Sequence, residues 1–141
     1  MTPMLSRAKD KDTGFWREGY YACESNHACF GNELKYEHFI FVDEFMDWNI
    51  GGLQQYIVDP RTVGRFIGLY DNKGKMIFEG DIVRSHDCVH NHDFIGYISF
   101  ANGSFVIRDD PVTHYRWMDY FVEVIGNIHD NPELLEEGES E

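Results

Sequence analysis

Asn102-Gly103 lies between two short runs of β-forming residues, Phe94–Phe100 and Ser104–Arg108, and no other local feature constrains the fold as strongly. An asparagine–glycine pair suits the positive φ angles of a tight hairpin loop, so the two runs pair across Ala101-Asn102-Gly103. Similar punctuation recurs through the second half. Asp71-Asn72-Lys73-Gly74 divides Arg65–Tyr70 from Met76–Phe78, and Glu79-Gly80-Asp81 leads on into Ile82-Val83-Arg84. Tyr120–Ile125 reads as the last strand. Upstream, Tyr36–Val42 and Gln54–Val58 read as strands with Gly51-Gly52 turning between them, and Asp59-Pro60 stops the second. Phe15–Tyr21 reads as an aromatic-rich strand or hairpin arm. Asn131, as N-cap, and Pro132, at the first helical position, open a short C-terminal helix. Many short strands without a sustained helical period specify a mainly β protein built on a small barrel.

The chain has 141 residues, 43% hydrophobic and 16% aromatic, enough to pack a core. No run approaches the roughly 18–20 apolar residues of a membrane helix, and no secretory h-region follows Met1. The three cysteines are an odd number, which fits a reducing cytoplasm better than a disulfide framework. The formal charge is −13. Such a body repels phosphate backbones and attracts basic protein surfaces, so nucleic acid is disfavoured as a partner. Asp130, Glu133, Glu136, Glu137, Glu139 and Glu141 concentrate acid at the end, and residues 136–141 read as a solvated, disordered tail.

Three groups of residues carry chemical leads. His86, Cys88, His90 and His92 alternate, so an extended segment places all four on one face, and their donor types suit zinc. Neighbouring same-face side chains diverge along a strand, however, and the C-x₂-C knuckle is absent, which leaves a solvated polar loop as the alternative. Cys23, His27 and Cys29 form a second group of the same kind. Arg61, Arg65, Lys73, Lys75 and Arg84, with Tyr70 and Phe78, suggest either a small basic patch for nucleic acid or an ordinary solvated face. Tyr115-Arg116-Trp117-Met118 follows a turn and holds residue types enriched at protein interfaces; a lid over a barrel end has the same composition. Glu79 and Asp81 share a strand face as a carboxylate pair would, but Gly80 and Asp81 fit a backbone turn, and Gly126-Asn127 reads as a second turn. No nucleophile elbow or phosphate-cradling loop is present in the sequence.

Gly68-Leu69-Tyr70-Asp71-Asn72-Lys73-Gly74-Lys75-Met76-Ile77-Phe78-Glu79-Gly80-Asp81-Ile82-Val83 matches the pattern G-L-x-D-x-x-G-x-x-I-x-E-G-D-I-V. Val124-Ile125-Gly126-Asn127-Ile128-His129-Asp130-Asn131-Pro132-Glu133-Leu134-Leu135 matches V-I-G-N-I-x-x-N-P-E-L-L. Both patterns resemble the YopX family of phage and prophage proteins. Tyr56 to Gly64 and Trp16-Arg17-Glu18-Gly19-Tyr20 extend the likeness over most of the chain. The resemblance implies an SH3-like β-barrel over 62–135, preceded by a β-rich arm over 1–61. It implies a phage setting in the bacterial cytoplasm and supplies no activity. With catalytic signatures missing, the expectation is a non-enzymatic protein–protein interaction module without a cofactor. Its partner is an unidentified host or phage protein, or a second copy of the chain. The rival expectations are a nucleic-acid-binding barrel and a zinc enzyme using residues 86–92.

Overall fold

A computed structural model of the chain describes residues 5–26, 35–45 and 51–139. The fold is mainly β, with every strand pairing antiparallel, and it divides into two compact units, Met1–Arg65 and Phe66–Glu141.

In the first unit, β1 (Ser6–Lys9), β2 (Trp16–Asn26), β3 (Lys35–Phe45) and β4 (Gly51–Ile57) pair in the order β4-β3-β2-β1. Gly51 and Gly52 do not form a turn; they lie in β4 opposite Phe45 and Glu44. Glycine adopts extended backbone as readily as turn backbone, and the long partner strand supplies the ladder that decides between them. Ala8, Ile40 and Val58 form the buried centre, with Val42, Tyr56 and Val63 packed on it. Gly19 is required by a close approach, because a Cβ there would lie 2.2 Å from the Phe41 carbonyl oxygen. Asp10 closes the β1–β2 turn. Its Oδ1 accepts the Asp12 N–H at 2.8 Å, and its Oδ2 pairs with Arg17 at 3.1 Å. The 3-10 turn at Pro60–Thr62 is capped by Asp59, which accepts the Arg61 N–H. β5 (Gly64–Tyr70) pairs with β1 through Gly64 and Arg65.

In the second unit, β5 pairs with β6 (Met76–Phe78) through Phe66 and Tyr70. β7 (Asp81–Asp87), β8 (His92–Ala101), β9 (Ser104–Asp109) and β10 (Val112–His114) follow as a meander. β11 (Phe121–Asn127) returns to pair with β7, which gives a five-stranded sheet in the order β10-β9-β8-β7-β11. Among the described residues no pairing joins β10 to β11, so a closed barrel is not formed by the ladders seen. The Asn102-Gly103 loop has φ of 51° and 83°, as its sequence requires. Alternate residues of β7, β8 and β11 face inward. Val83, Phe94, Ile98 and Val122 meet Ile77, Ile107 and Trp117 in one core. The helix α1 (Glu133–Glu139) follows. Residues 136–139, expected to be a disordered tail, are therefore helical in backbone.

Candidate functional site

The two long sequence motifs meet in the β7–β11 ladder, where Asp81 stands opposite Asn127 and Ile82 opposite Gly126. Gly80 turns with φ of 87°. Its N–H donates to the Ile98 carbonyl, and its carbonyl accepts the Ile128 N–H, both at 2.9 Å. Asp81 is buried and accepts the Phe78 N–H at 2.8 Å. Asn127 does the matching work on the other strand, its Oδ1 accepting the N–H groups of His129 and Asp130. Gly126 and Asn127 belong to β11 itself, and the turn follows at residues 128–130. Asn131 does not simply cap the helix: its Oδ1 accepts the Asn127 N–H. The Glu79-Gly80-Asp81 turn thus opens β7 opposite the Gly126-Asn127 end of β11, and Asp81 is committed to the backbone.

A third clamp, at Asp71, ties the first motif to the last strand. Its Oδ1 accepts the N–H groups of Lys73 and Lys75, and its Oδ2 accepts the Val124 N–H at 3.0 Å from the far edge of β11. Beside it the Asn72 N–H donates to the Val122 carbonyl. Burial pushes the Asp71 carboxyl up, but the three backbone donors and the nearby Lys75 charge outweigh it and hold the group below the usual carboxylate range. The free edge of β11 is thereby occupied over Val122–Val124, which protects it from pairing with another chain.

The His/Cys segment is not extended. β7 ends at Asp87, residues 88–91 form a turn, and Asn91 takes φ of 50°. Asp87 Oδ1 accepts the Val89 and His90 N–H groups, and its Oδ2 meets His90 Nδ1 at 2.8 Å. The bond from His90, above all, holds the Asp87 carboxyl below its ordinary value. His86 instead pairs with Asp93 across the ladder, His92 stacks on Phe94, and Cys88 is exposed as a free thiol. The four side chains are therefore dispersed, and among the described residues no three His, Cys, Asp or Glu converge on one point. Cys23 is an exposed free thiol, while His27 and Cys29 lie outside the described residues. His114 stacks on Phe94 at 4.0 Å, and burial lowers its affinity for a proton.

Two of the five basic residues are paired with acids. Arg61 is held by Asp59, and Lys73 by Glu123 at 2.9 Å. Arg61 and Arg65 belong to the first unit, whereas Lys73, Lys75 and Arg84 belong to the second.

The Tyr115–Met118 segment divides. Trp117 is only 2% exposed, packs in the core, and donates its indole N–H to the Phe105 carbonyl at 2.9 Å. It is not a surface anchor. Tyr115 and Arg116 are exposed, and the Tyr115 hydroxyl accepts from Asn102. Met118 is 56% exposed and enters a groove of about 290 Å³ with Leu69, Tyr70 and Phe121. Tyr70 is 60% exposed and Phe121 62%. The sequence signal for Phe121 was its position beside buried Val122 in an alternating strand, which turns its ring outward.

Phe121 and Asn72 also line a second depression, of about 400 Å³, on the outer face of β8-β7-β11. Arg84, His86, Asp93, Ile95 and Glu123 surround it. At the other end of this face Gly126, opposite Ile82, lies against the C-terminal segment: a Cβ there would stand 2.7 Å from Asn131 Oδ1 and 2.9 Å from Leu134 Cδ1. One end of the outer face is covered and the other is open.

The YopX protein family profile matches residues 7–136, nearly the whole chain. The chain belongs to the YopX family. No curated protein matches it. Both motifs that carry the YopX likeness are occupied by the turn clamps and the β7–β11 ladder. None of the described helices is long and apolar enough to cross a membrane.

Proposed function

We propose that this YopX protein is a non-enzymatic interaction module that binds a host or phage protein in the bacterial cytoplasm through the second unit. The carrying observation is the grouping of Leu69, Tyr70, Met118 and Phe121, large apolar side chains exposed around one groove. Scattered exposed apolar residues are ordinary, whereas a contiguous group has a use. The residues with catalytic or ligand chemistry support the same reading by where they go. Asp71, Asp81 and Asp87 are committed to backbone N–H groups. The phage setting and the SH3-like description rest on the resemblance, and the strand order β10-β9-β8-β7-β11 supports the latter.

The test is a pull-down from bacterial lysate after nuclease treatment, comparing the wild-type chain with Met118→Lys and Phe121→Ser. Both positions are exposed, so folding should change by no more than about 0.5 kcal/mol. A stoichiometric protein retained by the wild type and lost with both variants supports the reading. Identical recoveries, or none, refute it. Light scattering on the same samples reveals whether a second copy of the chain is the occupant.

A further inference from the structure

We infer that the groove formed by Leu69, Tyr70, Met118 and Phe121 takes a basic segment of its partner, with aliphatic side chains entering the groove and lysine or arginine meeting the acids around it. This deepens the interaction reading and rests on it. The argument is one of charge complementarity. The second unit holds five Lys and Arg against fifteen Asp and Glu, a formal −10 out of the chain's −13. Its few cations are partly spent: Lys73 is paired with Glu123 and Arg108 with Asp110. At the groove, Asp119 follows Met118 and is exposed, with exposed Arg116 two residues before Met118; Asp93, 79% exposed and paired with His86, lines the neighbouring depression that shares Phe121. An acidic segment approaching this unit is repelled before contact, whereas a basic one is steered in.

The apolar group adds contact specificity to that field. A thioether and two aromatic rings accept aliphatic side chains of varied shape, methionine because it is unbranched and polarizable. Asp71 and Asn72 already occupy the edge of β11 at the groove, through Val122 O and Val124 N. Binding therefore proceeds through side chains in the groove, not by adding a strand at that edge.

The experiment is selection of a displayed random peptide library on the full chain, with counter-selection on Phe121→Ser. Expected is enrichment of peptides that combine lysine or arginine with leucine, isoleucine or methionine. Synthetic copies should lose at least about tenfold in affinity with Phe121→Ser and weaken as salt rises through the range that screens surface charge. Enriched peptides that are acidic or uncharged, or whose binding ignores salt, overturn the inference. So does failure to enrich any peptide. If the pull-down still recovers a partner that the groove variants lose, and its contact segment is acidic or neutral, the interaction reading stands and this inference alone falls. If nothing depends on the groove in either experiment, both fall.

Discussion

Replacing Asp71 by Asn tests the central structural claim, that a carboxylate joins the β5–β6 turn to β11. The substitution keeps the shape and removes the charge. Asp71 accepts three backbone N–H groups, two on Oδ1 and one on Oδ2. An amide has one acceptor oxygen, so if that oxygen stays with Lys73 and Lys75, the new NH₂ group faces the Val124 N–H. A hydrogen bond to a charged group contributes about 1.5–3 kcal/mol, and a buried donor left unpaired costs a similar amount, so Asp71→Asn should destabilise the second unit by about 2–3 kcal/mol. For a unit of this size that is a fall of roughly 10–20 °C in melting temperature, read by circular dichroism or calorimetry. Glu123→Gln, which breaks only the surface pair with Lys73, should cost less than about 1 kcal/mol. The acid limb supplies an independent check. The folded carboxyl titrates below its unfolded value, so the unfolded chain binds the proton more tightly. The contribution is fully present above roughly pH 4 and is lost as pH falls through the folded value, so the wild type should lose stability more steeply than Asp71→Asn on acidification. Amide exchange at Val124 should accelerate in the variant. A variant within about 0.5 kcal/mol of wild type, with Val124 still protected, would refute the clamp.

Further outcomes follow from single contacts. Gly126→Ala should cost about 1–3 kcal/mol and deprotect α1 in hydrogen exchange, since the added methyl meets Asn131 and Leu134 at under 3 Å. Trp117→Ala should cost about 3–5 kcal/mol in urea unfolding, while Met118→Lys next to it stays within about 0.5 kcal/mol, separating two residues that composition groups together. Cys88→Ala with His90→Ala should leave bound metal unchanged by elemental analysis of the purified protein. Stoichiometric zinc lost with that pair would reinstate the segment as a ligand set.

The turns were legible because their chemistry is local. Asn102-Gly103 and Asp71 to Gly74 declare positive φ and short-range acceptors in the residues themselves, and the structure uses them so. The same signal was present in 86–92 and pointed away from an extended strand. Asp87 and Asn91 bracket the segment as turn residues, yet the alternation of His and Cys draws the eye first. What the sequence hid depends on distant partners. Trp117 is core and Met118 is surface because the Trp117 indole finds the Phe105 carbonyl on β9, twelve residues earlier. Gly51 and Gly52 are strand because β3 is long enough to pair with them.

The acidity of the chain acquires a second meaning from the clamps. Asp10, Asp59, Asp71 and Asp87 each accept a backbone N–H, and each carboxyl is held below its ordinary range. Part of the negative charge is therefore internal fastening, and in the proposal made above it is the outer acids that select a partner. The same division runs through the YopX patterns. Their fixed positions include Asp71, Gly80, Asp81, Gly126, Asn127 and Asn131, all tied into the clamps and the β7–β11 ladder. The groove is made largely by residues the patterns leave free: Tyr70 occupies an unspecified position of the first, and Met118 and Phe121 lie outside both. Leu69 is the exception, a groove residue that the first pattern fixes; a signature that leaves most of the exposed apolar residues open would permit one fold to serve different partners. It follows that exchanging Tyr70, Met118 and Phe121 for another member's residues should redirect binding in the pull-down while leaving the melting temperature nearly unchanged, because none of the three is buried.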